Sequence, residues 1–201
     1  MVMSVQVLST MLGVVVCCGA CHYPAGTLSA AAVKESATIQ IQAPHNATYA
    51  RQLAQGGRYS ISGTAWLQDK QGKRVSCAGA KVYLYAATPY LMDYYKQSGM
   101  LDERSQLYIS TFDPQTLVMK PHIKVQPYIQ EAFFPLQKFT TTCKKDGSFH
   151  IRQVGAGHYF IRATILQPLD SSSSVREVNL TRWITVHNRQ LRGVQLHHQL
   201  R

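Results

Sequence analysis

The sequence predicts an all-β fold, a β-sandwich of about seven strands with a long insert. From Arg58 onward, apolar residues recur at every second position in short runs, which is the period of a strand with one buried face. Glycine-containing turns separate these runs. Of the 201 residues, 45% are hydrophobic and only 15% are charged, which provides a core and excludes a disordered acidic tail, a coiled coil and a multi-span membrane protein.

The N-terminal segment has the properties of an export signal. With histidine counted as neutral, none of the first 33 residues is charged. Residues 5–18 form an apolar run shorter than the roughly 20 residues of a membrane span. Gly19 and Ala20 then precede Cys21, and this order resembles the lipobox of bacterial lipoproteins. The resemblance implies a signal peptide at residues 1–20 and a fatty-acylated Cys21. The alternative is a plain secretory signal, cleaved after Ala20 or near residues 30–32.

The five cysteines agree with export to an oxidising compartment. Cys17 and Cys18 lie within the predicted signal and Cys21 would carry lipid, which leaves Cys77 and Cys143. We predict that these two form a disulfide, and the alternative is two separate buried thiols. Neither has a second Cys or His at close zinc-ligand spacing, so no metal site and no cofactor is predicted.

The segment at residues 21–57 is rich in Ala, Ser, Thr and Gln. It is expected to be a lipid-anchored leader or tether with one possible strand at residues 38–42. The pair Gly56-Gly57 marks the start of the regular domain, which is predicted to span residues 58–200.

Strands of this domain are expected at residues 59–67, 75–77, 81–86, 139–143, 149–151, 159–165, 182–187 and 191–197. In the third run, Val82 and Leu84 lie on one face and Tyr83 and Tyr85 on the other. The pair Asp146-Gly147 is typical of a tight hairpin, because glycine adopts the positive backbone angles that such a turn needs. The last two runs predict a terminal hairpin at residues 188–189.

Several of these turns and strands occur in the order of a known family. The stretches at residues 61–65, 72–84 and 142–163 resemble the carboxypeptidase regulatory-like domain, through motifs such as Asp146-Gly147-Ser-Phe149-His-Ile151 and Gly157-His-Tyr159-Phe-Ile161. The resemblance covers about residues 59–196 with one interruption. It implies a transthyretin-like (prealbumin-like) sandwich, and it implies a non-catalytic role, because in that family this domain is the non-catalytic partner.

The interruption is an insert at about residues 87–138 that is rich in aromatic residues and proline. A helix is predicted at residues 90–98, with strands at residues 107–112 and 122–125. Loops of this length in compact domains are usually functional or bind a partner. The alternative is that the insert adds strands or covers a sheet edge.

Motifs of common enzymes are absent from the sequence. There is no His-Glu-x-x-His, no Gly-x-Ser-x-Gly and no phosphate-binding glycine loop, so the chain is not predicted to be an enzyme. One enzyme with the transthyretin fold, the 5-hydroxyisourate hydrolase, is a remote alternative. Resemblance to it would require a C-terminal Tyr-Arg-Gly-Ser, whereas this chain ends His198-Gln-Leu-Arg201.

The sequence therefore predicts a non-catalytic lipoprotein of the cell envelope. Its expected location is the outer membrane, where it would face the periplasm or the surface. Its sandwich would be a structural or protein-interaction module, with the membrane bound through Cys21 and an envelope protein as partner. The alternative is a carbohydrate- or peptidoglycan-binding module. The candidate interaction surface consists of five tyrosines: Tyr83, Tyr85, Tyr90, Tyr94 and Tyr95.

The net charge of +11 indicates an anionic partner. Basic residues are scattered over several predicted strands, and the export signal argues against access to nucleic acid. We therefore expect no nucleic-acid binding, and anionic lipid headgroups or an acidic envelope partner explain the charge better.

Overall fold

The computed structural model describes residues 37–113, 118–168 and 175–200. The predicted signal peptide and Cys21 lie outside the described residues. Within those residues, no helix is both long enough and apolar enough to cross a membrane.

The described part of the chain is mostly strand. In order, it forms β1 Ala37–Gln40, α1 Ala47–Gln55, β2 Tyr59–Gln68, β3 Arg74–Ser76, β4 Lys81–Ala86, α2 Pro89–Gln97, β5 Leu101–Asp102, β6 Leu107–Asp113, β7 Val118–Lys120, β8 Ile123–Gln126, β9 Thr141–Thr142, β10 Ser148–Val154, β11 Gly157–Pro168, β12 Val175–Val186 and β13 Leu191–Gln199. Two short 3₁₀ turns, Gln130–Phe133 and Gln137–Phe139, lie between β8 and β9.

The described strands form two main sheets. A four-stranded sheet has the order β10-β2-β13, with β3 also pairing with β2. A seven-stranded sheet has the order β5-β6-β12-β11-β4-β9, with β7 also pairing with β6. The parallel pair β1-β8 is separate from both. The predicted all-β sandwich is confirmed.

The hydrophobic core lies between the two sheets, and strand alternation builds it. Ile61 and Leu67 of the four-stranded sheet and Leu84 and Ile161 of the seven-stranded sheet are fully buried in one cluster. The predicted disulfide between Cys77 and Cys143 is present and buried within the same cluster.

The predicted terminal hairpin at residues 188–189 is wrong. β12 pairs with β11 along its whole length and with β6 only at residues 177–181, and β13 is not among its described strand partners. β13 instead crosses to the other sheet and runs parallel to β2, where Val194 and Leu196 reach the core. Alternation correctly assigned the buried faces of β2, β4, β10 and β11, but it contains no information on the pairing partner of a strand.

Regular structure is already present among the described residues before residue 58, where the sequence analysis expected a leader. The expected leader contains β1 and α1. The Oδ1 atom of Asn46 accepts the N–H of Tyr49 over 2.8 Å and caps α1, while Leu53 is buried in the core. The sequence analysis did not identify α1, whose one buried residue is Leu53.

The insert forms a third layer on the outer face of the seven-stranded sheet. The structure contains the predicted helix as α2 and the two predicted strands as β6 and β8. Leu91 and Tyr95 of α2 pack against Tyr85 and Phe160, which point outward from the sheet. β5, β6 and β7 extend the sheet beyond β12. The insert therefore both adds strands and covers part of a sheet face.

Candidate functional site

The structure does not bring the five predicted tyrosines together as an exposed surface. Tyr85, Tyr90 and Tyr95 are buried, and Tyr83 and Tyr94 are half-buried. Three of the five therefore cannot form the predicted interaction surface, because the insert folds over the sheet and buries them.

Tyr83 and Tyr85 pack around a half-buried arginine. The guanidinium of Arg162 lies 4.6 Å from the ring centre of Tyr85 and 5.8 Å from that of Tyr83. Burial lowers the pKa of Arg162, although the nearby Tyr83 and Glu177 partly oppose this effect. These contacts give the two tyrosines a packing role in the sheet.

The tyrosines of α2 attach the insert to the domain. The hydroxyl of Tyr90 donates to the carbonyl oxygen of Pro127 over 2.6 Å and accepts the N–H of Ile129 over 3.2 Å. The ring centre of Tyr95 lies 4.4 Å from that of Phe160, and burial raises the pKa of the Tyr95 hydroxyl. The insert is thus fixed on the sheet rather than loosely attached.

An open groove of about 660 Å³ lies beside α2 and has the composition of a binding site. We call it the Trp183 groove. Its lining combines aromatic side chains with charged and amide groups. The lining residues are Gln42, Ala43, Met92, Asp93, Lys96, Tyr108, Phe160 and Trp183.

Capping and amphipathicity position the α2 side of the groove. The Oγ1 atom of Thr88 accepts the N–H of Leu91, and Pro89 occupies the first turn, so the helix starts at a defined residue. Because Leu91 faces the sheet, Met92 and Lys96 are left on the exposed side.

Asp93 joins α2 to the segment after β1. Its carboxylate accepts the side-chain amide of Gln97 over 2.7 Å and the backbone N–H of Gln42 over 3.1 Å. These hydrogen bonds, the one from Gln97 first, lower the pKa of Asp93. The carboxylate is therefore ionised and held in place at the rim of the groove.

Trp183 is the most exposed aromatic side chain of the groove, with 45% of its surface accessible. It stands on β12 opposite the buried Phe160 of β11. Its indole stacks on the ring of His158, with 5.6 Å between ring centres and 15° between planes. His158 is positioned in turn by a 3.0 Å contact between its Nδ1 and the Oγ1 of Thr185. A large aromatic surface is thus presented to solvent in a defined orientation.

The sequence analysis did not identify Trp183 as a candidate. A signal was nevertheless present, because Trp183 alternates with Ile184 and Arg182 and so shares the outward face of its strand with Thr181 and Thr185. A tryptophan on an otherwise polar face is unusual for a purely structural residue.

The outer face of the four-stranded sheet carries a second aromatic group. Trp66 stacks on His197 with 4.2 Å between ring centres, and the guanidinium of Arg74 lies 4.4 Å from the Trp66 ring centre. Burial, together with the charges of Arg74 and Arg182, lowers the pKa of His197. The indole of Trp66 is thus in contact with two side chains of the protein, His197 and Arg74.

The described residues contain no group of three or more His, Cys, Asp or Glu side chains that could hold a metal ion. His198, near the chain end, lies 3.4 Å from the carboxylate of Asp102.

The described fold is a β-sandwich with an open, partly aromatic groove on the outer face of its seven-stranded sheet. No protein-family model and no curated protein sequence matches the chain. A crystal structure of a candidate carbohydrate binding protein from Pseudomonas aeruginosa is similar, with a TM-score of 0.50 and 24% sequence identity, over 77% of this chain and 99% of that one. At this identity the similarity concerns the fold.

Proposed function

We propose that the protein is an exported, non-catalytic module of the cell envelope that binds a carbohydrate chain in the Trp183 groove. The observation that carries this proposal is the half-exposed indole of Trp183, which stacks on His158 and lines the groove together with Tyr108 and Phe160.

The chemistry of the groove suits a sugar better than a wholly apolar ligand. The C–H face of a sugar ring stacks on an indole, while its hydroxyl groups need hydrogen-bond partners at the rim. Asp93 supplies acceptor oxygens, Lys96 supplies donors and the amide of Gln42 supplies both. Because the groove is open, it suits a stretch of a polymer. The Pseudomonas aeruginosa protein of similar fold is itself described as a candidate carbohydrate binding protein.

Replacing Trp183 by Ala is expected to weaken retention on an immobilised envelope polysaccharide such as peptidoglycan by about tenfold or more, because the stacking surface is lost. Trp183→Phe should retain part of the binding. Tyr128→Ala is the matched control, since Tyr128 is 65% exposed and does not line the groove. Pull-down and thermal melting of the three variants measure binding and folding separately. Unchanged retention of Trp183→Ala would contradict the proposal.

Protein interaction is a second candidate function, favoured by exposed aromatic side chains on the insert. Tyr128 stacks on Phe133 and is largely exposed, and Phe134 is also exposed. Tyr128→Ala, together with Phe134→Ala, distinguishes the two functions. A protein partner at this surface would be lost from cross-linked envelope preparations with Tyr128→Ala and Phe134→Ala, whereas polysaccharide retention would be unchanged.

Export and lipid anchoring belong to the same proposal. They are supported by the apolar run before Cys21 and by the Cys77–Cys143 disulfide, which is typical of an oxidising compartment. The resemblance to the carboxypeptidase regulatory-like domain supports the non-catalytic role.

Cys21→Ala is expected to abolish metabolic labelling with a fatty acid, because the acylated sulfur is removed. The measurement is label incorporation by the full chain in a bacterial host, with Cys17→Ala as the matched control. Equal labelling of the wild-type and Cys21→Ala chains would refute the anchor.

A further inference from the structure

A second concave region lies at one end of the sandwich, between the turn at residues 69–73 and the ends of β11 and β12. It has a volume of about 730 Å³. We call it the basic hollow, because four cationic side chains line it: Lys70, Lys73, Arg74 and Arg176. None of them belongs to the Trp183 groove.

Among the described side chains, no ion pair neutralises the positive charge of the basic hollow. Asp69 is the one carboxylate among its lining residues, and its Oδ1 accepts the backbone N–H of Gln71 over 3.0 Å and that of Lys73 over 2.7 Å. Among the side chains that the structure describes, none of the four cations lies within salt-bridge distance of a carboxylate. An anion is therefore the partner that this charge favours.

One of the four cations is held in place by the sheet. The guanidinium of Arg74 lies over the indole of Trp66, which is itself stacked on His197. A 2.7 Å contact between Nε2 of His197 and Oγ1 of Thr64 positions that ring. An anion at Arg74 would thus meet a partly ordered guanidinium, which lowers the entropic cost of binding.

Exposed aliphatic side chains lie beside these cations. Leu166 of β11 lines the hollow and is 48% exposed, and Val175, the first residue of β12, is also exposed. No aromatic side chain is among the lining residues, so the hollow lacks the stacking surface of a sugar site. Cations next to exposed aliphatic groups are typical of protein surfaces that lie on anionic membranes.

We propose that the basic hollow binds the phosphate headgroups of an anionic lipid surface, with Leu166 and Val175 contacting the acyl boundary. This surface is independent of the Trp183 groove and of any lipid on Cys21. It would hold the end of the sandwich that contains the 69–73 turn against the bilayer.

The test is sedimentation of the full chain with vesicles, in the Cys21→Ala background so that this cysteine carries no acyl group. Vesicles of phosphatidylglycerol and phosphatidylcholine in equal parts are compared with phosphatidylcholine alone, which cancels any contribution of the uncharged N-terminal segment. We expect binding to the anionic vesicles only, and we expect it to fall at high salt.

Two pairs of variants assign the binding to the basic hollow. Lys70→Gln with Lys73→Gln should weaken it by roughly fivefold for each charge removed. Arg189→Gln with Arg192→Gln removes the same charge from exposed positions beyond the opposite end of β12 and should have a smaller effect. Leu166→Ser should weaken binding, whereas Leu101→Ser, at a leucine that is 43% exposed on β5, should not.

Equal losses from the two charge pairs would overturn the proposal, because they would show attraction by net charge alone. Binding to a soluble polyuronate without binding to anionic vesicles would also overturn it, and would assign the hollow to an acidic polysaccharide. Loss of vesicle binding with retained polysaccharide binding by Trp183 leaves the proposed function intact, so the two can fail separately.

Discussion

Reduction of the Cys77–Cys143 disulfide is expected to lower the free energy of unfolding by about 4 kcal/mol. The bond joins cysteines separated by 66 residues, and its absence would give the unfolded chain much more conformational freedom. For a domain of this size, such a loss lowers the melting temperature by roughly 10 °C or more.

The position of the disulfide explains why its loss should affect the whole domain. Cys77 follows β3 of the four-stranded sheet, and Cys143 follows β9 of the seven-stranded sheet. The bond therefore links the two layers of the sandwich. The carbonyl of Cys143 also accepts the N–H of Gly79 over 3.1 Å, and its own N–H donates to Ala80 over 2.9 Å.

Urea denaturation of the oxidised and the reduced wild-type chain measures this effect with all side chains unchanged. Cys77→Ala with Cys143→Ala is the second arm, in which buried sulfur atoms are lost as well. We expect the double variant to be at least as unstable as the reduced chain. Identical transitions for oxidised and reduced protein would contradict the prediction.

Local features of the fold could be predicted from sequence because their causes are local. Gly147 adopts a positive φ of 79° at the turn that the Asp146-Gly147 pair indicated. An added Cβ there would lie 2.9 Å from the carbonyl oxygen of Ala65, so the close approach of the strands also requires glycine. The alternation of Val82 and Leu84 with Tyr83 and Tyr85 likewise assigned the faces of β4 correctly.

Features that depend on distant segments could not be predicted in this way. Period-two alternation indicated that Tyr85 lies on the face opposite the main core, but it did not indicate that α2 would cover that face. The Trp183 groove combines Gln42, residues 92–96 of α2 and Trp183, which come together only through the placement of the insert. The disulfide is an exception, because only two cysteines remained after the predicted signal and the anchor were assigned.

The core and the Trp183 groove are built from different residues, and this has a consequence for function. The sandwich core is built by β2, β4, β11 and their neighbours, whereas the groove uses outward-facing positions and the insert. Residues on the outer face can therefore change without disturbing the core. Such separation is expected of a scaffold whose binding specificity resides in the elements added to it.

Gly63→Ala is expected to destabilise the domain by about 3 kcal/mol or more, because the sandwich leaves no room for a methyl group at this position. Gly63 lies on β2 between two partner strands, opposite Phe149 of β10 and Val194 of β13. A Cβ on Gly63 would lie 2.0 Å from the carbonyl oxygen of Val194 and 2.7 Å from Cζ of Phe149.

Relief of this clash would have to disrupt the sheet itself. The nearest atom belongs to the backbone of β13, so it cannot move without loss of the β2–β13 pairing. The register of that pairing already shifts between Leu191 and Val194, next to the glycine. Because Val194 and Leu196 hold β13 on the core, displacement of the strand would also expose buried apolar surface.

Ser62→Ala is the matched control, since it adds no atom and lies next to Gly63 on the same strand. Thermal melting should show a much lower transition for Gly63→Ala and a transition close to that of the wild type for Ser62→Ala. A melting temperature of Gly63→Ala within about 2 °C of the wild type would show that β13 can move away without cost. The close packing of β2 against β13 would then not be what fixes the last strand in the four-stranded sheet.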